Sequence, residues 1–269
     1  WKASIARFPL EFWSEVLAFH IGTFLNVPVP ITFPSTLVAD EAPIAGSLAQ
    51  GITDPTTSEL LVHGGDLLSG VNPSFDRTKG EKHSYQAVKH ALDHFGLGDL
   101  LSTLTRLFIF DALIGNSDRH QENWALVCRV DENKLGLRYA VAPAFDNGSS
   151  LLREVAEDKL HLFVTDSPRR RKYIEKGTPH LRWEEGDMYE EVTHLDLLKR
   201  IAAVDPGVTT MINEMTGFDP SELKAIIHRV CAYSRMGEEF PEYFLSSERE
   251  KALFETIIEK ASTIRCSIL

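Results

Sequence analysis

The segment 115–123 reads Gly-Asn-Ser-Asp-Arg-His-Gln-Glu-Asn and contains no apolar side chain. It lies between two apolar segments, 107–114 before it and 124–128 after it, which a folded chain is expected to bury. A polar loop held between buried elements is a common place for binding and catalytic groups. This loop offers a carboxylate, Asp118, and an amide, Asn123, that could take part in such chemistry.

A second polar segment, 142–150, reads Ala-Pro-Ala-Phe-Asp-Asn-Gly-Ser-Ser. It follows residues 124–141, where two apolar stretches joined by Asp-Glu-Asn-Lys have the pattern of a β-hairpin. The chain enters and leaves a hairpin at the same end. We therefore expect Asp118, Asn123 and Asp146 to lie close together, although they are far apart in the sequence.

Two carboxylates and an amide in this arrangement suit phosphoryl transfer. That reaction needs a carboxylate to orient or deprotonate the attacking hydroxyl, oxygen ligands for Mg²⁺ and a cation for the phosphates. Asp118 suits the first role, and Asn123 and Asp146 suit the second. Lys2, on the first predicted strand, could hold the phosphates, and Glu15 on the following predicted helix could pair with Lys2 and fix its position.

The pattern Asp118-Arg-His-x-x-Asn123, followed by a hairpin and Phe145-Asp-Asn-Gly148, resembles the inverted catalytic and metal loops of atypical kinases. HipA-like serine/threonine kinases of bacteria and phosphoinositide kinases share this inversion, whereas ordinary protein kinases have His-Arg-Asp and Asp-Phe-Gly. The segments 15–28, 113–124 and 142–150 are more similar to the HipA-like family. The resemblance covers residues 1–155 well and the helical tail only by type.

This resemblance implies an α+β, bilobal protein-kinase-like fold. Residues 1–83 would form a small partial N-lobe that contains β-strands, together with a connecting hinge region. Residues 84–269 would form a larger, mainly α-helical C-lobe with a catalytic hairpin, catalytic loop 115–123 and metal loop 142–150. The resemblance also implies ATP and Mg²⁺ as cofactors. It implies Asp118 as the base and Asn123 and Asp146 as the Mg²⁺ ligands. Lys2 would bind the phosphates of ATP, and Glu15 would be the partner of Lys2.

The function implied is transfer of the γ-phosphoryl group of ATP to a protein Ser or Thr, as in toxin–antitoxin kinases. The implied protein substrate is an aminoacyl-tRNA synthetase or the chain itself, and the implied partner is a small DNA-binding antitoxin. A kinase N-lobe normally carries a phosphate-covering loop before its lysine, and this sequence begins one residue before Lys2. Three interpretations stay open: the loop lies upstream, a partner chain supplies the missing part of the N-lobe, or the form is minimal or inactive.

Two other functions are compatible with the same residues. One is a phosphoinositide or small-molecule kinase, because the inverted motif is shared with that group. The other is a pseudokinase that binds nucleotide, or an interaction protein without catalysis. A basic patch facing a membrane would favour a lipid substrate, but the formal net charge of -11 weighs against it.

Composition excludes several other classes of protein. The negative charge and a pI of about 5.4 argue against a protein that coats nucleic acid. The three cysteines have no CxxC spacing, so we expect reduced thiols rather than disulfides or a cysteine-rich metal site. No apolar run approaches the roughly 20 residues that span a bilayer, and no signal peptide is recognised. We expect a cytoplasmic protein without direct contact to nucleic acid or membrane.

The pattern along the chain predicts mainly helices. Strands are predicted at 1–8 and 31–38, with Pro34 marking an edge or bulge. Segment 39–83 is interpreted as a connection with a short strand at 60–62, and 153–192 as charged and irregular. The predicted helices cover 11–26, 84–95, 99–114, 194–203, 206–215, 220–235 and 246–263. The predicted caps are Asp99, Asp205, Asp219 and Ser246 or Ser247.

Some polar residues have competing interpretations. For His120 we favour a structural role over that of a base, while Arg119 could bind a phosphorylated residue or pair with a carboxylate. The basic run 169–172 is typical of a solvated loop, although Ser167 before Pro168 could mark an activation or substrate segment ordered by phosphorylation. Asp66 is expected in a turn rather than at an adenine-binding hinge.

Overall fold

A computed structural model describes residues 1–38, 44–54, 56–131, 136–184, 192–236 and 241–269. Over these residues the chain is an α+β protein with many helices and two small antiparallel sheets. The strands are β1 (Lys2–Ala3), β2 (Thr32–Leu37), β3 (Ile44–Ala49), β4 (Leu60–His63), β5 (Ala125–Asp131) and β6 (Gly136–Val141). The helices are α1 (Glu11–Phe24), α2 (Gly64–Val71), α3 (Tyr85–His94), α4 (Leu101–Ile114), α5 (Leu160–Thr165), α6 (Ser167–Glu175), α7 (His194–Val204), α8 (Gly207–Thr216), α9 (Pro220–Ser234) and α10 (Ser247–Ile268).

The first sheet has the order β1-β3-β2, with β3 in the middle. Lys2 pairs with Ser47 and Phe33 pairs with Leu48. The prediction of an edge strand around Pro34 is confirmed, since among the described strands β2 pairs with β3 alone. The prediction of a mere connection over 39–83 is wrong at β3. Its sequence Ile-Ala-Gly-Ser-Leu-Ala has little of the β-branched character typical of strands, and ladder bonds to two neighbours stabilise it instead.

The second sheet has the order β4-β5-β6. It confirms the predicted hairpin and the short strand near 60–62; the centre of the predicted turn, 132–134, lies outside the described residues. Helix α2 follows β4 directly and was not predicted. Gly64 at its start packs against Trp124, where an added Cβ would come within 2.1 Å of the indole ring. Such a requirement for close packing cannot be recognised from a Gly-Gly pair alone.

The helical core is built around α4, in which ten of the 14 residues are buried. This confirms the prediction of a helix that is apolar on most sides. Ser84 caps α3 by accepting a hydrogen bond from Ala87 N, at 3.2 Å. The prediction that Asp99 caps α4 is wrong: Asp99 lies in a short 3₁₀ turn, and the residue before α4 makes no side-chain cap bond.

Residues 153–192 are more regular than predicted, because they contain α5 and α6. The sequence of α6, Ser-Pro-Arg-Arg-Arg-Lys-Tyr-Ile-Glu, has no clear apolar period. Its N-terminus is capped by Asp166, which accepts from Arg169 N at 3.0 Å. Its buried Arg170 donates to Glu259 of α10 at 2.5 Å, so a contact far along the chain stabilises this helix.

The four predicted helices of the tail are confirmed as α7 to α10. Asp219 and Ser246 cap α9 and α10 as predicted. Asp205 precedes the first residue of α8 by two positions and accepts from Gly207 N at 2.9 Å, while Pro206 occupies the cap position. Among the described residues, no helix combines the length and the apolar character needed to cross a membrane.

Candidate active site

Helix α1 carries Glu15, whose carboxylate lies against the polar segment 142–150. Glu15 is largely buried, and its two oxygens accept hydrogen bonds from the backbone N–H groups of Asn147 at 2.9 Å and Gly148 at 3.0 Å. Hydrogen bonds from backbone amides to a buried carboxylate are charge-assisted and therefore strong. Glu15 thus fixes the backbone immediately after Asp146.

Lys2 lies among three carboxylates. Its Nζ is 2.5 Å from Asp146 Oδ1, 3.3 Å from Glu15 Oε1 and 3.4 Å from Glu11 Oε1. Burial lowers the pKa of the ammonium, but the hydrogen bond to Asp146 and the charges of the three carboxylates outweigh it and raise that pKa above its ordinary value. Lys2 is therefore a fully charged cation in contact with Asp146.

Asp146 has a backbone conformation that few residue types adopt. Its φ is +55°, in the left-handed region that Asp tolerates better than most residues with side chains. The flanking backbone is held firmly, because Ala144 N donates to Pro28 O at 2.7 Å and Asn147 Nδ2 donates to Ala144 O at 2.9 Å. The loop thereby presents Asp146 as a partly exposed carboxylate on a fixed backbone.

A pocket of about 180 Å³ opens beside this cluster. Its walls come from β1, β2 and β3 on one side and from residues 145–147 on the other. The polar side chains that line it are those of Lys2, Glu15, Thr32, Ser47, Asp146 and Asn147. The pocket thus lies between the first sheet and the segment 142–150.

The segment 115–123 begins where α4 ends. Gly115 closes the helix with φ +72°. Asp118 N then donates to Asn116 Oδ1 at 3.1 Å, and Asn123 Nδ2 donates to the backbone oxygen of Asp118 at 2.8 Å. Within the described ranges, neither the Asp118 carboxylate nor the Asn123 amide oxygen accepts a hydrogen bond. Both acceptors therefore keep their hydrogen-bonding capacity, with Asp118 partly exposed and Asn123 buried.

The two polar loops lie side by side, as the hairpin pattern predicts. Ser117 N donates to Ser149 O at 3.3 Å, and Leu151 N donates to Ile114 O at 2.9 Å. The convergence expected of the two loops is thus present in the backbone.

Arg119 joins the two loops through its side chain. It is only 1 % exposed and forms a two-pronged pair with Asp111, with Nε to Oδ2 at 2.9 Å and Nη2 to Oδ1 at 2.8 Å. It also donates to the backbone oxygens of Asn123 and Phe145 and to Asn147 Oδ1. Of its two interpretations, the structure supports pairing with a carboxylate.

Asp111 is the acidic partner in this buried pair. Burial raises the pKa of its carboxyl, while the charge and hydrogen bonds of Arg119 and a bond from Asn116 oppose that rise. The residue was not recognised in the sequence, since it lies inside an apolar helix. The available signal was a single acid in the otherwise apolar second half of the helix, residues 107–114.

The remaining polar residues have structural contacts. His120 Nδ1 accepts from Glu122 N at 3.1 Å, in line with the structural role favoured for it. Asp66 accepts from His63 N at 3.0 Å and pairs with Arg77, so it belongs to the start of α2. Arg170 of the basic run is buried against α10 rather than solvated, whereas its neighbour Arg169 is exposed.

The acidic groups suit Mg²⁺ better than a metal that needs a protein cage. Over the part of the chain that the structure describes, no group of three or more His, Cys, Asp or Glu is arranged to hold a metal ion. Asn123 and Asp146 offer one amide oxygen and one partly exposed carboxylate. Mg²⁺ in phosphate-transferring sites is commonly held by one or two carboxylates, with the substrate phosphates and water completing its shell. The donor set therefore fits Mg²⁺ bound together with a phosphate.

Comparisons with known proteins find a kinase that is similar to this chain both in sequence and in fold. The chain is 24 % identical over 255 residues to the serine/threonine-protein kinase CtkA of Helicobacter pylori, covering 90 % of this chain and 70 % of CtkA. The crystal structure of the H. pylori proinflammatory kinase CtkA superposes with a TM-score of 0.70 and 19 % identity, over 96 % of this chain and 83 % of that one. No family model matches the sequence.

A solved complex of HipA, HipB and operator DNA from Shewanella oneidensis contains a chain that matches with a TM-score of 0.49 and 11 % identity, over 94 % of this chain and 57 % of that one. The chain is thus similar to a serine/threonine kinase over most of its length and shares that kinase's fold. The expected likeness to a kinase is confirmed in sequence and in fold.

Proposed function

We propose that this chain, a relative of the HipA-like kinases, is an ATP- and Mg²⁺-dependent kinase that phosphorylates serine or threonine in a protein. The observation that carries the proposal is the contact of Lys2 with both Glu15 and Asp146, at 3.3 and 2.5 Å, beside a pocket. Lys2 and Asp146 are 144 positions apart, and a lysine oriented by a helix carboxylate at a metal-loop aspartate is the pairing that kinases use.

Each residue has a distinct role in this proposal. Lys2 binds the phosphates of ATP, and Glu15 holds both Lys2 and the loop after Asp146 in place. Asn123 and Asp146 bind Mg²⁺, which supplies charge neutralisation on the phosphates. In the larger architecture, an N-lobe over 1–83 and a C-lobe over 84–269 enclose the nucleotide between them.

Asp118 acts on the acceptor. Its carboxylate takes the proton of the acceptor hydroxyl while the hydroxyl oxygen bonds to the γ-phosphorus and the bond from that phosphorus to the β,γ-bridging oxygen of ADP breaks. The products are a phosphorylated side chain and ADP. The open acceptor capacity of the Asp118 carboxylate supports this role, since a base must be free to receive a proton.

A protein acceptor is favoured by the name of the relative, serine/threonine-protein kinase CtkA. A toxin–antitoxin role, with a small DNA-binding partner and an aminoacyl-tRNA synthetase or the chain itself as substrate, rests on the resemblance alone. The lipid-kinase and pseudokinase alternatives have no specific support in the described residues, and they become outcomes of the experiment.

The test is incorporation of phosphate from γ-labelled ATP and Mg²⁺ into the chain itself and into a general protein acceptor such as casein. We expect incorporation by the wild-type protein and its loss in Asp118→Asn, with unchanged circular dichroism. Asp99→Asn, at an exposed aspartate, serves as the matched control. Full activity of Asp118→Asn would contradict the assignment. ATP binding without turnover would indicate a pseudokinase, and transfer only to lipid vesicles a lipid kinase.

A further inference from the structure

A second cavity, of about 820 Å³, lies beside the start of the segment 115–123. Gly115 and Ser117 line it on one side, and residues of α6, α7 and α10 line it on the others. Ligand pockets for organic molecules usually have volumes of about 300–1,000 Å³. The cavity is therefore large enough for a side chain with flanking backbone, and none of the roles proposed above uses it.

Lys260 of α10 reaches this cavity from the interior. The residue is only 7 % exposed. Within the described parts of the chain, its ammonium forms no hydrogen bond or ion pair. Burial lowers its pKa from 10.5 to about 8, and the charge of Glu154 opposes that change only in part. The Tyr173 ring lies 5.9 Å from the ammonium, but a buried ammonium without an anionic partner is still costly.

Gly115 is the residue that makes room for this ammonium. A Cβ at this position would lie 2.0 Å from Lys260 Nζ, and the φ of +72° also disfavours any residue with a side chain. The ammonium thus sits against the backbone three positions before Asp118. An occupant held by Lys260 would lie next to the proposed catalytic loop.

Further cations surround the cavity. Arg169, Lys172 and Lys176 line it from α6 and the residue after α6. Over the described residues, Lys172 and Lys176 form no ion pair. This grouping is notable in a chain with a net charge of -11. The local charge is therefore opposite in sign to that of the whole protein.

The acidic residues of the cavity are already engaged in bonds within the protein. Glu154 accepts from the Tyr173 hydroxyl at 2.7 Å, and Asp166 caps α6. His194 is neutral, because burial and the charge of Lys260 lower its pKa to about 3 against a hydrogen bond with the backbone of Asn116. The backbone N–H groups at the start of α7 also carry partial positive charge.

A purely structural role for Lys260 explains less. A cation near the last turn of α4 gains a modest stabilisation from the helix dipole, whereas burying a charge without an anionic partner costs several-fold more. A structural role for Lys260 also does not account for the cavity or for the exposed cations of α6.

We propose that this cavity binds a phosphate monoester, with the Lys260 ammonium contacting the phosphate oxygens and Arg169, Lys172 and Lys176 adding charge around the opening. A phosphate monoester carries close to two negative charges and three acceptor oxygens, which suits several convergent cations. The size of the cavity favours a phosphoserine or phosphothreonine of a protein segment over a free phosphate ion. The site needs no nucleotide, so it stands independently of the proposed kinase activity.

The first test is the melting temperature of the purified chain with increasing inorganic phosphate, at constant ionic strength set by chloride and without ATP. A ligand that binds the folded state raises the melting temperature with its concentration. We expect this rise in the wild type, in Lys251→Met and in Lys2→Met, and its loss in Lys260→Met. Lys251 is the matched control, an exposed lysine on the same helix. An equal rise in Lys260→Met, or its loss in Lys2→Met, would overturn the proposal.

A second measurement separates the sources of phosphate and does not depend on one variant. In calorimetric titrations, a Gly-Ala peptide with one phosphoserine is compared with its unphosphorylated form and with inorganic phosphate. We expect the phosphopeptide to bind at least tenfold more tightly than inorganic phosphate, and the double variant Lys172→Ala/Lys176→Ala to weaken it at least tenfold. Equal affinity of phosphopeptide and phosphate would support the same site with a small phosphate as its ligand. Binding of both peptide forms alike would refute it.

Discussion

Two lysines of this chain have opposite electrostatic surroundings. Lys2 is partly exposed, and three carboxylates lie within 3.4 Å of its ammonium. Lys260 is buried, and the described residues give it no ionic partner. Accordingly the pKa of Lys2 is raised above its ordinary value, and that of Lys260 is lowered to about 8.

The difference separates two ways of preparing a site for an anion. At Lys2 the protein itself compensates the charge, so that lysine, helix carboxylate and metal-loop aspartate hold one another in a fixed arrangement. At Lys260 the described residues compensate the charge only in part, through Glu154 and the Tyr173 ring, so the buried charge lowers stability until an anionic ligand binds. Sites of the second kind are a recognised origin of the conflict between stability and function.

The largest expected effect comes from a third cation, Arg119, which is buried and fully paired. Arg119→Met leaves Asp111 as a buried carboxylate without its partner, which costs about 3–5 kcal/mol of unfolding free energy. Urea denaturation measures it. Arg129→Met, at an exposed arginine paired with Glu59, should change stability by at most about 1 kcal/mol. Similar losses of unfolding free energy in Arg119→Met and Arg129→Met would contradict this expectation, because burial of the ion pair would then not determine its contribution to stability.

The unpaired lysine should behave in the opposite way. The folded-state pKa of Lys260 is lower than its unfolded value of 10.5, so the unfolded chain binds more protons between pH 8 and 10.5 and stability rises with pH there. Below pH 8 we expect Lys260→Met to be more stable than wild type by about 3 kcal/mol. That advantage should be nearly gone by about pH 11.5, one unit above the unfolded pKa, because Lys260 is then largely neutral in both states. A difference that does not change with pH would contradict the uncompensated charge.

The paired lysine should matter for chemistry more than for stability. Lys2→Met removes the proposed phosphate cation, and kcat/KM for phosphate transfer should fall at least about 100-fold. The free energy of unfolding should change by no more than about 1 kcal/mol, because Lys2 is partly exposed. Steady-state kinetics beside urea denaturation separate the two effects. If the activity of Lys2→Met fell only in proportion to the amount of folded protein, Lys2 would contribute to stability rather than to catalysis, contrary to this prediction.

A smaller effect concerns His194 in the second cavity. Its folded pKa is about 3 against 6.5 unfolded, so the unfolded chain binds more protons between these values and stability falls as pH falls below 6.5. At pH 5.5 this group should cost roughly 1 kcal/mol relative to pH 7.5. His194→Gln should remove that part of the pH dependence. Replacing the exposed His90 with Gln should leave the dependence as in wild type.

The sequence predicted the features whose pattern lies within one continuous segment of the chain. The two polar loops and the hairpin between them are local patterns, so the convergence of the segments 115–123 and 142–150 could be predicted. Lys2 and Glu15 could be proposed from the chemistry of phosphoryl transfer and from the family resemblance, but no spacing in the sequence connects them to those loops. The structure places them in contact, and their catalytic roles stay predictions.

Other features depend on contacts between distant parts of the chain. Strand β3 is stabilised by its neighbours in the sheet, and α6 by Glu259 of α10, so neither has a strong pattern of its own. The cavity at Lys260 combines residues 115–117, 154–178, 194–195 and 260–264, and no spacing in the sequence brings these together. Gly115 signals its role only through a positive φ and the ammonium beside it.

The most direct test of the nucleotide site is calorimetric titration with ATP in the presence and absence of Mg²⁺. We expect the wild type to bind ATP at least tenfold more tightly with Mg²⁺, and Asp146→Asn to lose that enhancement, because the proposed metal carboxylate is gone. Lys251→Met should bind like the wild type. Equal Mg²⁺ enhancement in Asp146→Asn and the wild type would contradict the placement of the nucleotide and its metal at the Lys2 cluster.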